Sequence, residues 1–175
     1  MRSTGIVRRI DELGRVVIPK EIRRTMRIKE GEELEVFATG DNSLVLKKYS
    51  AVGEAVTVIN EYAHALYVTN GYTTIVTDMD KIVSAIGDIK SFAVGDKLTD
   101  KCLRAIGDRR TIVLDSVASK GLFISDSTDL CNIVMSPIIR QGDVLGAVIC
   151  MSHQTLDRTA VKITDTASAF LSGVV

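Results

Sequence analysis

The chain has 175 residues, is 46% hydrophobic and 25% charged, and carries a formal net charge of zero, the composition of a globular protein with room for one ordinary domain or two small ones. Its longest apolar stretches, such as residues 145–151, fall far short of the roughly 20 residues that a membrane helix needs, and the opening MRSTGIVRRIDE holds no apolar core for secretion. Three scattered cysteines (Cys102, Cys131, Cys150) and two histidines (His64, His153) offer neither a disulfide framework nor a zinc set, so a reducing, cytoplasmic location with no membrane, metal or cofactor is expected.

The neutral total hides an asymmetry. Residues 1–50 hold 11 Lys and Arg against 8 Asp and Glu, and the remainder holds 11 against 14. Residues 1–29 alone hold 9 basic against 3 acidic residues. Basic charge gathered at one end is the footprint of a polyanionic partner. In chain order, residues 4–10 read as a strand rich in Ile and Val, and Asp11-Glu12-Leu13-Gly14 as a turn in which Gly14 takes a positive φ. Residues 15–18 read as a second short strand. Pro19 suits a helix start, and residues 20–27 form that helix, with Ile22 and Met26 on one side and Lys20, Arg24 and Arg27 on another. Residues 33–38 and 43–48 read as a hairpin around Thr39-Gly40-Asp41-Asn42.

Four short strands and two helical turns make a thin core. Units of this size usually need a disulfide, a metal or a second subunit. The first two are missing here, which leaves dimerisation. A two-fold dimer would also double the basic set to match two DNA half-sites.

The run TGIVRRIDELGRVVIPKEIRRTMRIKEGEELEVF followed by LVLKKY closely resembles the N-terminal domain of the AbrB-type transition-state regulators. The resemblance covers residues 1–50. It implies a swapped-hairpin β-barrel in which two chains interleave. It also implies contact with double-stranded DNA through arginines at the motif positions of Arg8, Arg15, Arg23 and Arg24. Arg9 and Lys20 are expected to add phosphate contacts. Arg8 lies between Ile6 and Ile10, so it also reads as a structural partner for Glu12 or Glu21. No aromatic residue lies among these cations, which disfavours stacking on single-stranded bases.

Residues 50–53 read as a short transition. Residues 54–68 read as a helix with Ala55, Ile59, Ala63 and Leu66 along one stripe, ended by Asn70-Gly71. Strands follow at 73–77 and 82–86, a helix at 97–106, and strands at 111–114, 133–139 and 144–151. Gln141-Gly142-Asp143 is the hairpin signal between the last two. A closing helix spans 157–171, with Val161, Thr164, Ala167 and Leu171 on one side. Helices at both ends of a largely antiparallel sheet make an α+β domain over residues 51–175.

The pattern Ser136-Pro137-Ile138-Ile139, Gly142, Gly146-Ala147-Val148-Ile149 resembles the central hairpin of GAF sensory domains. An AbrB-type head followed by a GAF-like domain resembles a family of sporulation regulators. That resemblance implies activation of some genes and repression of others, and a homotetramer formed when dimers pair through their C-terminal domains. A small-molecule effector in the GAF-like domain is implied too, without a named ligand. The NKxxxF motif of cyclic-nucleotide binders is absent, as are a bilin-cysteine context and a metal cluster. Phe92, Phe123 and residues 116–130 are candidates to line a pocket, with core and loop the plainer reading.

Two alternatives remain at this level. The GAF fold with three cysteines also describes free-methionine sulfoxide reductases. Cys131, at a loop-to-strand boundary, also fits a redox sensor, since such chemistry needs an accessible thiolate. Antitoxins of the MazE type share the swapped-hairpin head but carry a disordered acidic tail, unlike the patterned residues 51–175. No P-loop, Rossmann fingerprint or catalytic triad is present, so no enzymatic activity is expected.

Overall fold

Residues 4–88, 91–123 and 131–175 are described by the computed structural model, and the chain divides into two units, Met1–Tyr49 and Ser50–Val175.

The first unit contains one helix and one hairpin: α1 (Lys20–Thr25), β1 (Leu34–Ala38) and β2 (Leu44–Lys48). The strands pair antiparallel from Leu34 opposite Lys48 to Ala38 opposite Leu44. Their turn is closed by Thr39 N–H on the Ser43 carbonyl at 2.9 Å, and Asn42 takes the left-handed conformation (φ 60°) that turns of this kind require. Lys47 Nζ sits 4.5 Å above the centre of the Phe37 ring, a cation–π contact on a half-buried aromatic side chain.

Residues 4–10 and 15–18 differ from the sequence reading: neither stretch is a strand here. They meet at the turn, where Asp11 N–H donates to the Arg15 carbonyl at 3.0 Å and Gly14 N–H to the Asp11 carbonyl at 2.9 Å. A strand exists only where a neighbour completes its hydrogen-bond ladder. Within one chain these arms have no such neighbour. Burial gives the same picture: among the described residues of this unit, only Pro19 is buried. Val7, Val17 and Leu44 are 89%, 74% and 72% exposed. The described residues of a single copy of this unit therefore form no hydrophobic core.

The second unit does have one. It begins with α2 (Ala51–Glu54) and α3 (Val56–Asn70), continues through β3 (Thr73–Thr77), β4 (Ile82–Ile86), α4 (Asp100–Gly107) and β5 (Ile112–Leu114), and ends with β6 (Asn132–Arg140), β7 (Asp143–Ser152) and α5 (Arg158–Val174). The five strands form one sheet in the order β4-β3-β7-β6-β5, antiparallel throughout. Gln141 and Gly142 join β6 to β7 with φ of 51° and 89°, the double positive turn that matches the twist of a tight hairpin.

Both faces of the sheet are covered, so its central strands are buried at successive residues instead of at alternate ones. Ile75, Ile133, Met135 and Ile149 pack on one side with Leu98, Cys102 and Ile106. Val76, Ile138 and Val148 pack on the other with Ile59, Ala167 and Leu171. The stripes expected on the two long helices are the ones that pack: Ile59 and Ala63 are buried on α3, and Thr164, Ala167 and Leu171 on α5. Gly71 closes α3 in the left-handed conformation (φ 72°). Asp157 opens α5 by accepting from the Thr159 and Ala160 amides at 2.9 and 3.0 Å.

Candidate nucleic-acid interface

Asp11 organises the turn that carries Arg15. Its Oδ1 accepts from the Leu13 and Arg15 amides at 3.0 and 2.8 Å, and its Oδ2 accepts from Arg15 Nε at 2.8 Å. The Arg15 amide, then the Arg15 side chain, hold the Asp11 carboxyl below its ordinary range. The Arg15 side chain nevertheless remains 70% exposed. An exposed ion pair of this kind is weak, so it orients the guanidinium while leaving it free to exchange partner for a phosphate.

Arg8 and Arg9 lie on the exposed arm before the turn, and Lys20, Arg23 and Arg24 lie exposed on α1. Among the described residues, none of the five forms a salt bridge; Arg15 with Asp11, Lys48 with Glu32 and Arg110 with Asp108 are the pairs present. The structural alternative for Arg8, a pair with Glu12 or Glu21, is therefore not realised in the single chain. The helix buries no residue: Ile22 is half-buried and Met26 is 48% exposed. The expected apolar face of α1 thus has nothing to pack on within one chain.

Pro19 stands just before α1, one position earlier than expected, and its carbonyl accepts from the Arg23 amide at 3.0 Å. The far end is more unusual. The helix stops at Thr25, and Arg27 adopts the left-handed conformation with φ 53°. Arg27 N–H donates to the Arg24 carbonyl at 3.2 Å and Ile28 N–H to the Arg23 carbonyl at 2.7 Å, the paired closure usually built around glycine. A residue with a Cβ pays roughly 1–2 kcal/mol for that conformation. Lys48, from the end of β2, donates to the Arg27 carbonyl at 2.8 Å and pairs with Glu32 at 3.0 Å. Glu32 also accepts from the Lys29 amide at 2.7 Å. Sequence reasoning read Lys48 only as a strand residue. Its role as an anchor spans 21 positions and leaves no local signal.

In the second unit the two phenylalanines considered for a pocket are part of the core. The Phe92 and Phe123 rings lie 4.6 Å apart at 52°, and both pack into the cluster that includes Leu98 and Cys102. Of the segment 116–130, residues 124–130 lie outside the described residues. The cysteines are buried. Burial pushes the Cys102 thiol up to about 12. Burial also raises Cys150, partly opposed by hydrogen bonds with Thr164 and Thr74. Cys131 Sγ lies 3.8 Å from His153 Nδ1 and is 2% exposed. Thiolate chemistry needs the opposite environment. Native protein at pH 8 is therefore expected to label slowly at all three sites, at the rate of opening, with unfolding exposing them together. Mass spectrometry of peptides after timed alkylation checks this, and fast labelling of Cys131 alone would restore the redox-sensor alternative. Among the described residues there is no cluster of metal-ligating side chains, and no helix is long and apolar enough to cross a membrane.

Two protein families match this chain. The family described as "Stage V sporulation protein T C-terminal, transcription factor" matches residues 54–173, and that described as "Antidote-toxin recognition MazE, bacterial antitoxin" matches residues 7–54. Stage V sporulation protein T of Bacillus subtilis is 39% identical over 173 residues, covering 98% of this chain and 97% of its own length. Transition state regulatory protein AbrB of the same organism is 59% identical over 49 residues, 28% of this chain and 50% of that protein. The GAF domain of an Acinetobacter phosphoenolpyruvate-protein phosphotransferase shares the fold of the second unit at 12% identity, with a TM-score of 0.55, over 73% of this chain and 83% of that one. A free methionine-R-sulfoxide reductase from Neisseria meningitidis shares it at 17% identity and a TM-score of 0.54, over 70% and 78%; at such identities the likeness is one of fold. Head and C-terminal domain together, over nearly their full length, show that the chain belongs to the stage V sporulation protein T family of transcription factors.

Proposed function

We propose that the chain regulates transcription of sporulation genes, activating some and repressing others, by binding double-stranded DNA as a dimer of residues 1–50. In that dimer the arms at 4–10 and 15–18 gain the strand neighbours they lack, closing a swapped-hairpin β-barrel. Arg8, Arg15, Arg23 and Arg24, with Arg9 and Lys20, face the DNA. The observation that carries this reading is the pairing of an exposed cationic row with a unit in which, among the described residues, only Pro19 is buried. The first supplies the ligand's counter-charge and the second demands a partner subunit.

Residues 51–175 act as the sensing and assembly domain, pairing two dimers into a tetramer and taking an as yet unidentified small molecule. The connection to it is short and held: Ser50 Oγ accepts from the Gly53 amide at 3.0 Å and donates to Asp78 in the β3–β4 turn at 3.0 Å. A rearrangement of that sheet would therefore be felt at the first residue after the head. The folded sheet and helices of this unit speak against an antitoxin, whose tail would be disordered. Buried thiols speak against a reductase.

Fluorescence anisotropy on an A·T-rich duplex, with sedimentation to fix the assembly, tests the reading. Four arginines per chain in a dimer reach about eight phosphates, so the log–log salt slope should approach about −7. A monomer at micromolar concentration, or a slope near zero, would refute it.

A further inference from the structure

We infer that Arg27 is a DNA-phosphate contact that extends the surface formed by Arg23 and Arg24, an inference that rests on the DNA-binding reading of this face. Its position favours glycine on conformational grounds, with φ 53° and the closing bonds from the Arg27 and Ile28 amides to the Arg24 and Arg23 carbonyls. The chain nevertheless places there a long cation, exposed and one helical turn beyond Arg23 and Arg24. Residues 20–29 then hold Lys20, Arg23, Arg24, Arg27 and Lys29 against the single acid Glu21. Like charges so close together repel, and a polyanion relieves that repulsion.

The backbone under Arg27 is also fixed from outside the helix. Lys48 donates to the Arg27 carbonyl while paired with Glu32, which in turn accepts from the Lys29 amide. This brace ties the end of a six-residue helix to the hairpin. The Cα of Arg27 therefore does not depend on the helix, which is too short to be rigid alone. A braced backbone origin suits a phosphate contact, which needs charge more than side-chain geometry.

The experiment compares R27G, R27K and the R24A control in the full chain, reading thermal unfolding and DNA affinity over a salt series. R27G relieves the left-handed strain, so its Tm should rise by a few degrees while its affinity falls several-fold. Its salt slope should be shallower by about 1.8, two contacts per dimer at about 0.9 each. R27K should keep the wild-type slope. Opposite signs of the two R27G effects are the signature, because a residue present only to end the helix would be improved by glycine in stability and unchanged in binding. R27G with wild-type affinity and slope, while R24A loses binding, would overturn the Arg27 assignment alone. No loss in R24A either would overturn the assignment of this helix face to DNA on which the inference rests.

Discussion

Replacing Gly146 by alanine is expected to destabilise the C-terminal domain strongly and to lower its melting temperature. A Cβ at this position would lie 1.9 Å from the Thr77 carbonyl oxygen, 2.9 Å from the Thr77 carbonyl carbon and 3.0 Å from the Asp78 Cα. All three are backbone atoms, so no side chain can swing aside. The strands cannot part either: Ala147 pairs with Thr77 and Val148 with Val76 on one side, and Gly146 itself pairs with Ile138 on the other. The close approach coincides with the irregularity in β3 between Val76 and Thr77, where the buried Thr77 Oγ1 has no hydrogen-bond partner. Overpacking of a yielding core costs about 1–3 kcal/mol. Here the clash is with immobile backbone, and a loss of about 3 kcal/mol or more is expected, a large part of the roughly 5–15 kcal/mol by which a domain is stable. Gly107 supplies the control: it ends α4, and a Cβ there meets nothing within 4 Å. G107A should be neutral or slightly stabilising. Circular dichroism melts of the two variants, with limited proteolysis to locate the unfolding, decide it. A folded G146A with a wild-type melt would mean that the strands separate more easily than their ladders imply.

Gly146 also marks where the sequence stops being informative. It sits in a recognisable pattern, Gly146-Ala147-Val148-Ile149, but its necessity comes from Thr77, which lies 69 positions away. Local chemistry was readable: the Gln141-Gly142 turn, the Gly71 stop of α3, and the stripes Ile59-Ala63 and Thr164-Ala167-Leu171 depend on neighbours three or four residues off. Boundaries moved where a tertiary contact competed. The helix expected from residue 97 begins at Asp100, because Lys97 and Leu98 bridge to Lys81 and Phe123 and Thr99 caps the helix by accepting from the Cys102 amide at 3.2 Å. Of residues 50–53, expected as a transition, 51–53 are helical, in the turn Ala51–Glu54 that Ser50 caps. In the head, charge and exposure were legible from the arginines alone. The strands expected at 4–10 and 15–18 were not realised, since their partner is not in the same chain. The left-handed Arg27 had no local signal, because glycine is the residue that announces that conformation.

The paired substitution R23A/R24A is expected to abolish useful DNA binding while leaving the fold unchanged. Both side chains stand exposed on a helix that buries no residue. Truncation therefore removes little packing, and surface changes of this type usually stay within about 0.5 kcal/mol. Alanine is also a better helix former than arginine, which offsets part of any loss. The helix end keeps its closure, because the bonds to the Arg23 and Arg24 carbonyls involve backbone only. Binding responds quite differently. A dimer loses four cations at once, which removes about 3.6 from a salt slope of about −7. Charge-assisted contacts contribute about 1.5–3 kcal/mol each, and even heavily discounted for non-additivity four of them correspond to at least a 100-fold rise in Kd near 0.1 M salt. R15A should fall between wild type and this variant, because Arg15 shares its charge with Asp11 at 2.8 Å and gives up part of that pairing on binding. Anisotropy titrations at three or more salt concentrations, with melts and sedimentation on the same samples, separate the outcomes. Lost binding with an intact dimer and an unchanged melt assigns α1 to the DNA surface. Lost binding with a lost dimer would place α1 in the subunit interface instead, and retained binding would move the contact to Arg8, Arg9 and Arg15 on the turn.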